Sequence, residues 1–276
     1  MNNLDKGLYI VSTPIGNLED ITIRALKILK NSDLILCEDT RHTMKLLNNY
    51  NIKNKLVSYH KFNEKKVSHN IIKYLKEGKI LSLVSDAGTP LLSDPGKILV
   101  NECISNGHKV FAIPGPSSIT AAASLSGFNE EFFFYGFLSK KENEINKCLD
   151  ELKDISYSII FFIPAIKINY YLKFFKKFFF DRKIFIAREM TKKHETHYRD
   201  YVDKIKPFKN SLKGELTVVI SQKFNKSKTL QDYSNIEKQI KYYLKTYKVK
   251  DIVELMSVKE KISKKIVYQL CLKNKK

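Results

Sequence analysis

The chain has 276 residues, 43% of them hydrophobic, which is enough for one large domain or two ordinary ones. Its four cysteines lie far apart with no C-x-x-C pair, which argues against both a zinc knuckle and a disulfide scaffold. No apolar run approaches the roughly 18 residues that a membrane helix needs, and the first residues lack the pattern of a signal peptide. We therefore expect a soluble, cytoplasmic, globular protein with no metal centre and no membrane attachment.

The net charge is +20, because 49 Lys and Arg residues outnumber 29 Asp and Glu residues. This excess suits a polyanionic partner, but an AT-rich genome also produces a chain rich in Lys, Asn, Ile, Phe and Tyr. The excess is uneven, since residues 225–276 contain 14 basic and 5 acidic residues, a net charge of +9. We predict that this basic tail binds RNA; a merely structural helical cap is the alternative.

The first 116 residues alternate between short apolar runs and amphipathic segments, a pattern typical of a mainly parallel α/β sheet. The predicted strands are GLYIVSTPIGN up to its Pro/Gly turn, DLILCEDT, VSYH, ILSLVSD and VFAIPGP. The predicted helices are ITIRALKILKNS with Asp20 as its cap, RHTMKLLNNY, residues 68–77, ILVNECISNG and SSITAAASLSGF. Polar residues gather where the strands end, which is where such sheets place their chemistry.

From FFFYGFL onward the alternation restarts and predicts a second α/β domain, with a boundary near Gly115–Gly127. Its predicted helices are ENEINKCLDELKD and KINYYLKFFKKFF, and its strands are YSIIFFI, KIFIARE and LTVVIS, with an irregular polar stretch before the last. Three short Lys-rich helices follow, the last with Ser263 as its N-cap. We therefore predict an N-terminal α/β domain (1–116), a C-terminal α/β domain (117–224) and a basic helical tail (225–276).

The loop SDAGTPLLSDPG, residues 85–96, is the most informative stretch of the sequence. Gly88 and Gly96 allow close backbone approach, two prolines stiffen the loop, and Asp86 and Asp94 supply fixed acceptors. Such a loop at a strand end suits a small ligand with an amino group and hydroxyls. It is neither a G-x-x-x-x-G-K-[ST] loop nor a G-x-G-x-x-G turn, and its two acids argue against a phosphate cradle.

This loop occurs together with six other segments. In chain order, with the loop included, the seven segments are STPIGN (12–17), CEDTRHT (37–43), SDAGTPLLSDPG, IPGPSSITAA (113–122), YGFL (135–138), AREMTK (187–192) and KGE (213–215). Together they closely resemble the tetrapyrrole-methylase superfamily, and within it the branch that 2′-O-methylates a cytidine, cytidine-1402, of 16S ribosomal RNA. The resemblance implies a class III methyltransferase that binds S-adenosylmethionine in the cleft between two α/β domains, with a small C-terminal helical module. It also implies a homodimer that acts on the small ribosomal subunit.

The resemblance assigns cofactor contacts to motif residues of both domains. The 85–96 loop, the turn before residue 119 and the first strand end should supply most of them, and backbone near 161–163 the rest. The residues implied are Pro14, Ile15, Gly16, Asp86, Ala87, Gly88, Thr89, Leu92, Ser117, Ser118, Ala187 and Gly214.

Catalysis should centre on the strand end at CEDTRHT. A ribose 2′-hydroxyl is a poor nucleophile that benefits from a general base, for which Glu38 and Asp39 are the candidates. Arg41 and Lys192 are candidates for contacts with a phosphate or a developing oxyanion. As alternatives, Asp39 caps the following helix, and Arg41 pairs with Glu38 or Glu189.

One segment departs from the branch pattern. Ile163, Ile166 and Lys167 stand where the family usually has Glu, His and Arg. Because every other motif is intact, we expect those groups to be dispensable; an impaired enzyme is the alternative. The alternatives are a methylase of the same superfamily acting on a tetrapyrrole or a protein side chain, and a non-catalytic RNA-binding protein that keeps the cofactor fold.

Overall fold

The computed structural model describes residues 4–223, 234–260 and 262–275. The chain forms two compact units, Met1–Lys223 and Phe224–Lys276. The predicted start of the basic tail, residue 225, lies outside the described residues.

The first sheet contains five strands in the order β3-β2-β4-β1-β5, all parallel. They are β1 (Gly7–Val11), β2 (Leu34–Cys37), β3 (Leu56–Ser58), β4 (Ile80–Val84) and β5 (Val110–Ile113). The helices that follow them are α1 (Ile23–Asn31), α2 (Thr40–Asn49), α3 (Glu64–Lys76), α4 (Lys97–Ser105) and α5 (Ser118–Ser126). The predicted parallel α/β arrangement is confirmed.

The strands of this sheet are continuous apolar runs because helices cover both faces. All four residues of β2 are buried. Ile35 and Cys37 pack in the core on one face with Ala25 of α1, whereas Leu34 and Leu36 pack in the core on the other. Every strand therefore ends at the same edge of a rigid, doubly covered sheet.

Two helix starts differ from the prediction. Helix α1 is capped by Thr22, whose Oγ1 accepts from the Ala25 N–H at 3.1 Å, so the prediction of Asp20 as the cap was wrong. Asp20 instead lies in a 3₁₀ turn. Helix α3 begins at Glu64 rather than at residue 68. Its charged first turn lacks the apolar periodicity on which the prediction rested, but a carboxylate such as that of Glu64 stabilises a helix N-terminus.

The second sheet is mixed, with the order β6-β7-β10-β8-β9. Only β6 and β7 run parallel; the other neighbours are antiparallel. Its strands are β6 (Phe132–Phe137), β7 (Ser158–Pro164), β8 (Lys183–Arg188), β9 (Thr196–Tyr201) and β10 (Glu215–Ile220), and its helices are α6 (Glu142–Leu152) and α7 (Ile168–Phe178). Strand β9 lies in the stretch predicted to be irregular. That prediction was wrong because β9 is a polar edge strand with no buried residue.

Helix α5 joins the two sheets. Its Ile119 and Ala122 pack against Ile160, Phe185 and Val219 of the second sheet. The opposite face of that sheet holds a separate apolar core with α6 and α7. Both sheets therefore form one compact unit.

The second unit contains α8 (Ser234–Tyr243), α9 (Val249–Lys259) and α10 (Lys264–Asn274). Its own core includes Ile240, Ile252 and Val267. Ser263 caps α10, as predicted, by accepting from the Ile266 N–H at 3.4 Å. Across the residues that the structure describes, no helix is both long and apolar enough to cross a membrane.

Candidate functional site

A cavity of about 300 Å³ opens where the carboxyl edge of the first sheet meets the second sheet. Parallel sheets bind their ligands at this edge, and the volume lies in the range of small-molecule sites. From the first half of the unit, the loops after β1, β2 and β4 and the start of α5 line the cavity. From the second half, β6, β7, β8 and β10 line it with strand residues, together with the loop after β8.

Hydrogen bonds join the three loops that follow β1, β4 and β5. The Thr13 N–H donates to the Gly88 carbonyl at 2.9 Å, and the Gly88 N–H donates back to the Thr13 carbonyl at 3.0 Å. The hydroxyls of Ser12 and Thr89 lie 3.0 Å apart, and Thr89 Oγ1 donates to the Pro116 carbonyl at 3.2 Å. The cavity floor is thus fixed before any ligand binds.

Strained backbone borders the cavity on both sides. Five described non-glycine residues have positive φ, and four of them lie in two loops at the cavity. Leu91 (φ +72°) and Ser93 (φ +75°) follow β4, whereas Glu189 (φ +52°) and Thr191 (φ +64°) follow β8. Strain of this kind persists where surrounding contacts hold a functional geometry.

Two glycines next to the cavity, although not among its lining residues, leave room for neighbouring side chains. A Cβ on Gly214 would collide with the Glu189 carboxylate, whose Oε1 accepts from Lys192 Nζ at 3.0 Å and from the Glu215 N–H at 3.2 Å. A Cβ on Gly16 would lie 2.5 Å from Lys192 Cγ. Both glycines therefore leave the space that the side chains of Lys192 and Glu189 occupy.

The cavity is acidic, since Lys192 is the one cation among the described lining residues. Burial, followed by the charge of Glu38, raises the pKa of Asp94 to about 6. Burial, followed by the charge of Asp86, also raises the pKa of Glu38, and nearby His60 opposes this. Burial would raise the pKa of Glu189 too, but hydrogen bonds from Lys192 and the backbone lower it. The lining carboxylates are those of Glu38, Asp86, Asp94, Glu189 and Glu215.

Nine of the twelve predicted cofactor residues line this cavity. They are Ile15, Asp86, Ala87, Gly88, Thr89, Leu92, Ser117, Ser118 and Ala187. Pro14, Gly16 and Gly214 are not lining residues. Of the 161–163 backbone segment, Phe162 and Ile163 line the cavity.

The four predicted catalytic residues divide into two pairs. Glu38 and Lys192 line the cavity, whereas Asp39 and Arg41 do not. Asp39 caps α2: its Oδ1 accepts from the Arg41 N–H at 2.8 Å and from Arg41 Nε at 3.1 Å, and its Oδ2 accepts from Nη2 at 2.7 Å. These bonds lower the pKa of Asp39. Arg41 thus pairs with Asp39, rather than with Glu38 or Glu189, and its side chain is 88% exposed.

Several lining residues were not predicted from the sequence. Asp94 lies in the SDPG motif, so its carboxylate had a visible signal as an acceptor, although it was not assigned to the site. On the second-sheet side, Phe137, Glu189, Met190 and Glu215 lie in the motifs YGFL, AREMTK and KGE, whereas Pro164, Leu216 and Thr217 lie in strands without a motif. Ile163 is buried in the wall, whereas Ile166 is 74% exposed. The additional lining residues are Ser93, Asp94, Ile119, Phe137, Pro164, Glu189, Met190, Glu215, Leu216 and Thr217.

The chemistry of the cavity fits S-adenosylmethionine. Its carboxylates would hold the cofactor's cationic groups, and the N-terminus of α5, which begins at Ser118 on the cavity, suits the cofactor's carboxylate. The rings of Phe137 and Phe162, whose centroids lie 5.3 Å apart, provide apolar surface for the flat adenine base of the cofactor. Over the described parts of the chain, no group of three or more His, Cys, Asp or Glu residues could hold a metal ion.

Comparison with known proteins gives matches along most of the chain. The family model Tetrapyrrole (Corrin/Porphyrin) Methylases matches residues 7–206. A ribosomal RNA small subunit methyltransferase I from Thermotoga maritima is 49% identical over 219 residues, covering 78% of this chain and 98% of the relative. A protein of the same name from Mesomycoplasma conjunctivae is 44% identical over 237 residues, covering 85% of this chain and 99% of the relative.

The fold also has solved counterparts. A crystal structure of diphthine synthase superposes with a TM-score of 0.61 over 78% of this chain and 89% of that chain, at 16% identity. The two-sheet architecture is therefore shared with a protein of low sequence identity.

Proposed function

The chain belongs to the tetrapyrrole methylase family, in the branch of the ribosomal RNA small subunit methyltransferases I, and we propose that it methylates the ribose 2′-oxygen of a cytidine in 16S ribosomal RNA. The methyl donor of the family is S-adenosylmethionine. The observation that carries the proposal is the acidic cavity, whose first-sheet wall consists of the motif loops. Such a cavity favours a cationic cofactor and excludes phosphates, so that only a nucleoside of the RNA enters.

The chain's own residues would act mainly by positioning and by accepting one proton. The bound cofactor supplies an electrophilic methyl group. Glu38 and Asp94 are the carboxylates that we assign to the proton of the 2′-hydroxyl, because both line the cavity with raised pKa values. Asp39, the other predicted base, is engaged by Arg41.

The cationic candidates would serve different parts of the substrate. Lys192, held by Glu189 at the cavity, would stabilise negative charge that develops on the attacking oxygen. Arg41, exposed beside the cavity edge, would contact an RNA phosphate. A homodimer acting in the cytoplasm on the small ribosomal subunit completes the proposal.

Transfer of a labelled methyl group to purified small subunits tests this function. We expect label in 16S ribosomal RNA, recovered after digestion as 2′-O-methylcytidine and mapped to cytidine-1402. Label in a protein or in a tetrapyrrole would establish one of the alternative methylases instead. Cofactor binding without any transfer would establish a non-catalytic binding protein.

The proposed role of the basic tail needs a separate test, because its charge alone does not distinguish RNA binding from a cap. Replacing four exposed tail lysines by Gln should flatten the salt dependence of RNA binding, with a loss of ~0.7–0.9 in the slope of log K against log salt per lost contact. An unchanged slope would contradict the role. The tail positions are Lys241, Lys245, Lys248 and Lys250, and matched exposed controls are Lys53, Lys55, Lys73 and Lys76.

A further inference from the structure

A phenylalanine ring stands in solvent just beyond the carboxyl end of β3. Phe62 is 94% exposed, more than any other large apolar side chain among the described residues. Single exposed apolar residues are common, so exposure by itself indicates nothing. The way in which the chain holds this ring is what distinguishes it.

Hydrogen bonds fix the turn that carries Phe62. The His60 N–H donates to Asn63 Oδ1 at 2.8 Å, and the Asn63 N–H donates back to the His60 carbonyl at 2.9 Å. Asn63 Nδ2 also donates to the Ser58 carbonyl at 3.0 Å, and the Phe62 N–H donates to His60 Nδ1 at 3.3 Å. The aromatic side chain therefore extends from an ordered turn, which lowers the entropy lost when it contacts a partner.

The same turn is built into the edge that carries the cavity. The Tyr59 N–H donates to the Cys37 carbonyl at 2.8 Å, directly before Glu38. Glu64 Oε2 accepts from the Gly96 N–H at 3.2 Å and from the Tyr59 hydroxyl at 3.4 Å. One carboxylate thus ties the Phe62 turn to the loop that follows β4.

The charge around the ring is opposite to the charge of the cavity. Lys61, Lys65 and Lys66 are exposed around Phe62. Arg41, in the first turn of α2 after the neighbouring strand β2, is also exposed, although it is paired with Asp39. A basic, aromatic rim beside an acidic cavity would bind the sugar-phosphate backbone outside while one nucleoside enters.

We propose that Phe62 stacks on an unpaired base of the RNA substrate, next to the nucleotide whose ribose enters the cavity. This inference rests on the proposed function and names the kind of RNA that the site takes, a single-stranded segment. Recognition of unpaired RNA bases commonly uses aromatic stacking, which tolerates any base because each has a π face.

Steady-state methylation of small subunits by the full-length protein tests the contribution of the ring. Phe62→Ala should raise KM for the RNA substrate about 5-fold or more, the factor that corresponds to loss of ~1 kcal/mol or more of base stacking, and should leave the cofactor Kd unchanged. Phe62→Tyr, which keeps an aromatic ring, should have the parent KM. Phe180→Ala is the matched control, because Phe180 is 62% exposed but lies before β8, at the opposite end of that strand from its cavity-lining residue Ala187.

Fluorescence tests the contact directly, because the chain has no tryptophan. In Phe62→Trp the single indole should be quenched by a single-stranded RNA fragment containing the target cytidine, and far less by the same sequence in a duplex. Phe180→Trp should respond to neither.

The outcomes separate this inference from the proposed function. If the parent protein methylates RNA while Phe62→Ala keeps the parent KM, or the indole of Phe62→Trp is not quenched, stacking is refuted and the function stands. If the parent protein does not methylate RNA, the function itself fails. A blue shift of the Phe62→Trp emission that depends on protein concentration without RNA would overturn the proposal in favour of a contact between two copies of the chain.

Discussion

The two sheets contribute to the cavity in different ways. Every lining residue from the first half lies beyond a strand end, in a loop or in the first turn of α5, whereas most from the second half lie in strands. The first sheet therefore supplies polar groups on loops fixed by hydrogen bonds. The second supplies a largely apolar wall, which includes Phe162, Ile163 and Leu216.

The difference teaches where the chemistry of this fold can change. Ile163 is buried in this wall, which is closed there without a carboxylate. The loops after β2 and β4 contribute three carboxylates of the cavity, Glu38, Asp86 and Asp94. We infer that substitutions in the first-sheet loops will affect function more strongly than substitutions in the opposite wall.

The largest expected effect comes from Gly88→Val. Gly88 has φ +80°, and its Cβ would lie 3.3 Å from Ile15 Cγ2, so a branched residue both strains the backbone and displaces the cavity floor. Cofactor binding measured by calorimetry should be lost. In the parent protein, cofactor affinity should be the same with and without a metal chelator; dependence on a metal would contradict the proposed site.

Gly107→Val is the matched control for the strain alone. Gly107 has φ +73° and no atom within 4 Å of its Cβ position. Both variants should lose stability, but only Gly88→Val should lose cofactor affinity. Full affinity in a folded Gly88→Val protein would show that the cofactor does not approach this loop.

The next largest effect concerns the proton-accepting carboxylates. Glu38→Gln and Asp94→Asn should each lower the single-turnover methylation rate by ~10²-fold at saturating cofactor, the usual scale for loss of a general base. Asp39→Asn should lower it less, because its carboxylate is held by Arg41 outside the cavity lining. A larger loss of rate in Asp39→Asn than in the other two variants would indicate that Asp39 is the general base.

The sequence predicted the first-sheet wall well, for a physical reason. Parallel strands buried on both faces are apolar runs, and their loops carry motif residues such as Asp86 and Thr89 that line the cavity. It predicted the second-sheet wall less well, since residues such as Leu216 and Thr217 resemble those of any core strand. It missed β9 entirely, because an exposed edge strand has no hydrophobic alternation to detect.

A smaller effect on the methylation rate is expected for Glu189, on the second-sheet side of the cavity. Glu189→Gln should lower the methylation rate by about 3–10-fold with little change in KM for RNA, because Lys192 loses its charged partner at 3.0 Å and is less well positioned. Glu144→Gln is the matched control, since Glu144 forms an equally long i,i+3 pair with Lys141 on α6. Equal effects of the two variants would show that the Glu189 pair has no role at the cavity.

The smallest expected effect is one of stability, and its sign opposes that on activity. Burial, followed by the charge of Glu38, raises the pKa of Asp94 from 3.8 to about 6, so between these values the native state binds more protons than the unfolded state. Native stability is then lost as the pH rises from about 4 to 6. Asp94→Asn should remove this loss and raise the free energy of unfolding at pH 7.5 by about 1 kcal/mol, after allowance for the partial exposure of the group, with no gain near pH 4.

Thermal unfolding from pH 4 to 8 measures this effect, with Asp39→Asn as the opposite case. Hydrogen bonds from Arg41 lower the pKa of Asp39, so its carboxylate stabilises the native state at neutral pH, and Asp39→Asn should lower Tm there. Asp94→Asn should raise Tm while lowering the methylation rate, as expected where a buried charge is kept for function at the expense of stability. If Asp94→Asn instead lowers Tm at pH 7.5, its carboxylate is a structural anchor of the loop, and Glu38 alone remains as the proton acceptor.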